Sequence, residues 1–339
     1  MFHSKAVSSI RLIALAMIVA CHIFQGENIV LAWWFNVGVQ IFLFMSGFIY
    51  GTKVIDNPGE YVKKRSQRIL VPYYILLLAV TLFYAVFARN LLNLNGFLTN
   101  LLVLQGFGTG LAGIEHLWFI SYILMCYLVT PVLQAVDISS PKNKKGNYIF
   151  KLLLILVGLQ IINYAKVINF SIPNFSAYIL GYYFSRRHFY YDGYHQNKPD
   201  QSMRRSLTGI FTACILTTPL VIYLEYFYNK SLFSPLYPYK DILFAWNHTL
   251  LGMSLFLAMY MIFERIYRDK TSRTVEKVLH GSDKYSYSIY LTHQIFILGQ
   301  FSLLNITPAK FINIILIILC AVISGMGLQK LNRRLPYGS

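Results

Sequence analysis

Charge is scarce in this sequence, and acidic charge scarcest: 13% of the 339 residues are charged, and 13 Asp and Glu stand against 30 Lys and Arg. Scarcity on this scale excludes an ordinary soluble domain, in which about a quarter of residues are charged. Cysteine is scarce too. Cys21, Cys126, Cys214 and Cys320 each fall inside an apolar run without paired spacing. They read as small core hydrophobes, and neither a disulfide framework nor a metal site is implied. No internal repeat is strong enough to suggest an inverted-repeat transporter.

What fills the chain instead is apolar: 56% hydrophobic and 16% aromatic residues, with a mean hydropathy of +0.51. This is the composition of a multi-pass membrane protein of the all-α class, a polytopic helix bundle. Candidate spans run over 7–25, 32–51, 69–88, 116–135, 149–167, 172–185, 206–224, 241–263, 286–304 and 311–331, about ten in all. A further apolar piece at 97–106 is too short to cross and reads as interfacial or re-entrant. The first run carries a histidine and lacks a small-residue cleavage site, so it reads as a retained span and not a signal peptide. One membrane domain over 1–339 is expected, with no soluble domain appended.

The formal charge of +17 would suit nucleic acid if the cations formed one stripe. They gather instead into short clusters between apolar runs: Lys63 to Arg68, Lys142 to Lys145, Arg186 to Arg205, Arg265 to Lys284 and Lys330 to Arg334. With about ten spans, all five clusters fall in alternate loops or at the carboxyl end, the positive-inside pattern with both termini cytoplasmic. No nucleic-acid partner is expected; the lipid bilayer is.

Against this background the stretch IRLIALAMIVACH, from Ile10 to His22, stands out. Eleven helical steps between Arg11 and His22 make about three turns and rise roughly 16 Å, so both side chains share one face. Ionisable groups are costly in such a segment and belong against a protein interior or a wet cavity. The orientation puts Arg11 near the cytoplasmic end and His22 near the outer end, level with Glu115 and His116.

An arginine, ten residues and a histidine in the first helix resemble the signature of the acyltransferase-3 family of integral-membrane acyltransferases. Four further pieces follow in that family's order: VQIFLFMSGFIYG (Val39 to Gly51), the basic YVKKRSQRILVPYY (Tyr61 to Tyr74), HLWFISYILMCYLVTP (His116 to Pro131) and YSYSIYLTHQIF (Tyr285 to Phe296). Ile41-Phe42 stands where the family often has paired phenylalanines, and the esterase-like domain fused to some members is missing. The resemblance implies an O-acetyltransferase of the bacterial cell membrane. It would move an acyl group, acetyl above all, from cytoplasmic acetyl-CoA or another acyl-CoA to a hydroxyl of a cell-surface carbohydrate such as capsular or exopolysaccharide. No metal is called for, and a homo-oligomer is compatible with it.

Acyl transfer from a thioester to a hydroxyl needs a base, and a histidine near neutrality suits it, which makes His22 the first candidate. The alternative is a packing histidine bonded to a backbone carbonyl. Arg11 would hold an anion on the donor side; the alternative is a topology-setting arginine snorkelling to the surface. Lys64, Arg65 and Arg68 would collect the phosphates of acyl-CoA, with a positive-inside loop as the rival reading. Glu115 could orient His22 or bind an acceptor hydroxyl, His116 shares the family motif, and Trp118 could stack on a sugar or belong to an interfacial belt. His293, placed mid-span, is a substrate-binding candidate, while His248 lacks family support. Ser46-Gly47 reads as a packing pair that lets the second helix approach the first, not as a nucleophile. Two rival functions stay open on sequence: a transporter or flippase of glycan intermediates, and an acyltransferase for a small molecule or lipid head group.

Overall fold

The computed structural model describes residues 5–138, 158, 171–191, 199–227, 234–267 and 272–334, and among them all regular structure is helical. The helices are α1 (Lys5–Gly26), α2 (Ala32–Phe35), α3 (Val37–Gly51), α4 (Pro58–Phe87), α5 (Leu94–Leu101), α6 (Trp118–Ile138), α7 (Ile172–Ser185), α8 (Pro199–Ile222), α9 (Lys240–Ile266), α10 (Arg273–Thr292) and α11 (Lys310–Arg334). Seven stretches among the described residues are long and apolar enough to cross a bilayer. The α7 bounds coincide with the sixth expected span; the expected span at 149–167 lies almost wholly outside the described residues.

Helix α1 holds the middle of the bundle and packs against α3, α9 and α10. One side of it is sealed by Ala6, Ile10 and Ala14 against Ile41, Phe44 and Met253, and the other by Leu15 and Ile18 against the core of α3, α4, α6 and α7. Every backbone group of a membrane span must find its partner inside the helix, so this packing of side-chain faces is what fixes the relative positions of α1, α3 and α10.

Three sequence readings are corrected here. The basic stretch from Lys63 to Arg68 is not a loop, and Pro72 does not open the third helix: α4 begins at Pro58 and carries Pro72 in its interior. Asn57 caps it by accepting from the Glu60 amide, Pro58 sits in the first turn and Glu60 complements the positive end, a full set of start signals. Four basic residues therefore share helical spacing, which sends Arg65 and Arg68 to one face and Lys64 to another.

The ninth span is displaced as well: the helix is Arg273–Thr292, and 293–304 continues as a 3-10 turn and irregular chain. Ser272 caps its start by accepting from Thr274 N. The apolar run at 286–304 suggested a span, but Gln294 O accepts three successive amides, from Ile297, Leu298 and Gly299, and ends the helix there. His293 is thus the first residue past a helix end, not mid-span. Finally, Gly47 does not admit the first helix. Its missing Cβ lets the Tyr178 carbonyl of α7 approach, while Gly38 performs that service for the Ala14 carbonyl of α1.

Candidate functional site

A cavity of about 260 Å³ opens between α1, α3, α4, α6 and α10. Its mouth is cationic, lined by Arg11, Lys53, Arg65 and Arg68 together with Asp283. Arg11 is half-buried and pairs with Asp283, whose second oxygen accepts from Ser8 Oγ at 2.6 Å. The carboxylate thereby holds the guanidinium in the cavity wall in place of letting it snorkel away.

Lys53, Arg65 and Arg68 have no acidic partner among the described residues. Tyr50 lies between two of these cations, 4.9 Å from Lys53 Nζ and 5.1 Å from the Arg65 guanidinium carbon, so its ring face offsets part of their repulsion. Burial, then the neighbouring Arg65 and Arg68 charges, hold the Lys53 ammonium below the ordinary lysine range. Repelling cations gathered at a half-closed mouth form a site prepared for an anion.

Beyond the mouth the walls turn apolar: Met45, Ile49, Ile69 and Ile123 lead to Ile18, Phe42, Phe119 and Tyr290. Tyr290 belongs to two neighbourhoods. It lines the cavity, and its ring centroid lies 5.4 Å from that of His116 and 5.6 Å from that of His293. Its hydroxyl donates to the His116 carbonyl, which ties α10 to the start of α6.

Behind Tyr290 and one turn beyond Ile18 three histidines meet. Ring centroids are 6.2 Å apart for His22 and His116, 5.2 Å for His22 and His293, and 5.0 Å for His116 and His293. His116 and His293 are buried, and His22 is half-buried. Each ring has one nitrogen tied to an oxygen: His116 Nε2 to Leu291 O at 3.1 Å, His293 Nδ1 to Tyr290 O at 2.6 Å and His22 Nδ1 to Gln25 Oε1 at 2.8 Å. A carbonyl oxygen only accepts, so these nitrogens carry the protons of the neutral rings and the opposite nitrogens keep their lone pairs. His116 Nδ1 and His293 Nε2 are buried without a hydrogen-bond partner. The described residues contain no three His, Cys, Asp or Glu side chains arranged to hold a metal ion.

Glu115 is exposed at the edge of this cluster. Its carboxylate accepts from Gly113 N at 2.9 Å and from Gln294 Nε2 at 2.9 Å, not from His22. Gly113 has φ +80°, and a Cβ there would stand 2.9 Å from the Tyr84 hydroxyl, so glycine is what lets the loop deliver its amide to Glu115.

The structure thus joins Arg11, Arg65 and Arg68 at the mouth, and His22, His116, His293 and Glu115 in a second group behind the cavity's inner end. It leaves two candidates outside. Lys64 is exposed and pairs with Glu60 one turn earlier. Trp118 rests edge-on against Phe119 and Tyr122, away from both the cavity lining and the histidine rings. His248 is buried between Trp34 and Phe244 on another side of the bundle. Residues that sequence reasoning missed are Asp283, Lys53, Tyr290 and Gln294. Asp283 is one of three acids in the basic stretch from Arg265 to Lys284, and a charge count assigns all three to a loop.

A cationic cavity mouth and, behind the cavity's apolar inner end, a cluster of three imidazoles stand together inside a membrane bundle, an arrangement suited to group transfer. The family model of the acyltransferase-3 acyltransferase domain matches residues 5–328, nearly the whole chain. The protein belongs to that family and is a multi-pass membrane acyltransferase. No curated protein and no solved structure matches it.

Proposed function

We propose that the protein is an O-acetyltransferase of the bacterial cell membrane, taking an acyl group from acyl-CoA at the cytoplasmic face and delivering it to a hydroxyl of a cell-surface carbohydrate. The observation that carries this reading is a cavity with a cationic mouth at Arg11, whose inner end at Ile18 and Tyr290 adjoins the cluster of His22, His116 and His293. The separation suits the donor. Arg11 and His22 are roughly 16 Å apart along the helix, comparable to an extended pantetheine arm. Lys53, Arg65 and Arg68 would hold the phosphates, the apolar walls the arm, and the thioester would arrive beside Tyr290.

In that cluster, His22 is the base. Gln25 Oε1 holds its Nδ1 proton and leaves the Nε2 lone pair for the acceptor. As Nε2 takes the hydroxyl proton, the acceptor oxygen bonds to the thioester carbonyl carbon. The carbon–sulfur bond then breaks, and the departing thiolate receives the proton from Nε2. His22 ends the cycle neutral.

The test is label transfer by the purified full chain in lipid nanodiscs, with labelled acetyl-CoA and capsular or exopolysaccharide as acceptor. Wild type should label the glycan and His22→Ala should not. Transfer that survives in the variant removes His22 from the mechanism, and no transfer by wild type overturns the donor and acceptor assignment.

A further inference from the structure

The histidine cluster behind the cavity, called the floor here, has an unusual hydrogen-bonding inventory. His116 Nδ1 and His293 Nε2, on the two rings beside that of His22, and Gln294 Oε1, on the residue that follows His293, are three buried acceptors without partners, and the Glu115 carboxylate is bonded to Gln294. The ring protons that could have donated are committed to Leu291 O, Tyr290 O and Gln25 Oε1. The Gln294 amide gives one of its two N–H groups to Glu115, so acceptors still outnumber the donors left here. A surface of acceptors is completed only by a ligand that brings donors, since a buried acceptor left unpaired costs the ligand affinity.

One hydroxyl suffices for transfer and satisfies only His22. The nearest further acceptor ring is His293, with its centroid 5.2 Å from that of His22. Neighbouring hydroxyls on a sugar ring are themselves separated by about one hydrogen-bond length, about 2.8 Å. Two such hydroxyls can therefore donate to two imidazoles in ring-to-ring contact.

We infer that the histidine floor reads a vicinal diol: the reacting hydroxyl donates to His22 Nε2 while its neighbour donates to the lone pair of His293 Nε2. This rests on the acyl-transfer reading above and narrows its acceptor from any hydroxyl to a pair. His293 is then an acceptor-binding residue, and the Tyr290 carbonyl is what fixes its ring so that Nε2 cannot donate. The same inventory rejects a carboxylate or phosphate next to the reacting hydroxyl, because an anion there would meet lone pairs and the Glu115 charge.

The probe is a methyl hexopyranoside carrying a cis-diol, offered with labelled acetyl-CoA to the full chain in nanodiscs, beside the monodeoxy sugar that lacks only the hydroxyl next to the acylated one. The diol is expected to exceed the deoxy sugar in kcat/KM by at least about 100-fold, the scale on which a site built for a hydroxyl rejects its absence. His293→Ala should bring the diol-to-deoxy ratio of kcat/KM close to one, and His293→Gln, whose amide oxygen still accepts, should restore part of the difference. Equal rates for the two sugars in wild type overturn the diol assignment while acyl transfer stands. A wild-type difference that persists undiminished in both His293 variants assigns the neighbour's recognition elsewhere and overturns it too. Transfer to neither sugar or to glycan removes the acyl-transfer reading and this inference with it.

Discussion

The mouth of the cavity and the histidine cluster behind its inner end, the floor, solve opposite problems. At the mouth, Lys53, Arg65 and Arg68 are charged groups held together against their mutual repulsion, with one tyrosine face between two of them. At the floor, His22, His116 and His293 are neutral rings whose protons are pinned by carbonyl oxygens and whose lone pairs are left over. On the proposed reading the mouth takes negative charge and the histidines take protons, so binding energy belongs to the first and chemistry to the second, and variants of the two groups should separate the parameters accordingly.

The sharpest break is at the floor. His22→Ala should lower kcat by about 1000-fold, within the usual range for losing a general base. Affinity for acetyl-CoA should stay within about twofold, because His22 lies one turn beyond the lined cavity. Calorimetric titration of the variant with coenzyme A checks the second half; a collapse of donor affinity would show that the division of labour is wrong.

Next in size is the mouth. Arg65→Ala and Arg68→Ala should each raise KM for acetyl-CoA about tenfold with little change in kcat, as expected for one charge-assisted contact to phosphate. Lys64→Ala, on the outer face of the same helix, should leave KM unchanged. Initial rates across donor concentration distinguish the three, and equal effects would mean that the basic stretch acts only through overall charge.

A smaller effect is expected between the ends. Asp283→Asn removes the partner of Arg11 and an acceptor of Ser8 from the contact of α1 with α10. With both side chains partly solvent-exposed, the loss of stability should be about 1–2 kcal/mol, below the cost of breaking a fully buried pair. The same change takes a negative charge from the mouth, so donor affinity should rise about twofold to fivefold. Thermal unfolding in detergent and coenzyme A titration read the two opposite signs.

How much of this was legible beforehand follows from range. The Arg11–His22 register needs only the pitch of one helix, so it could be read directly, and the bundle class follows from composition. Positive-inside counting set Glu115 and His116 level with His22, and the rings do touch. What failed was local punctuation. A hydropathy window centres a span on its apolar residues, so it began α4 at its greasy part and overlooked Asn57, Pro58 and Glu60; in α10 it chose the apolar run after the helix over the charged residues within it. Asp283 and Lys53 could not be read at all, because their importance depends on which helix lies opposite. The same holds for the lone pairs of His116 and His293, which exist as free acceptors only because Leu291 and Tyr290 direct carbonyls at the opposite nitrogens.

The finest test of the comparison is titration at the mouth. Lys53 lies between α3 and α4, and burial with the Arg65 and Arg68 charges lowers its pKa. Its contribution to phosphate binding requires the charged form, so that contribution is complete at low pH and is lost as pH rises through the lowered value, earlier than for an ordinary lysine. A bound phosphate reverses the sign of the local field and draws the proton back, so donor binding above neutrality should be accompanied by net proton uptake. Titration of coenzyme A in two buffers of different ionisation enthalpy measures that uptake. Lys53→Met should abolish it while costing at most about tenfold in affinity, and Lys53→Arg, charged throughout, should abolish the uptake and keep the affinity. Proton uptake unchanged in both variants would place the titrating group elsewhere, and the phosphates would then be held by the arginines of the mouth without Lys53.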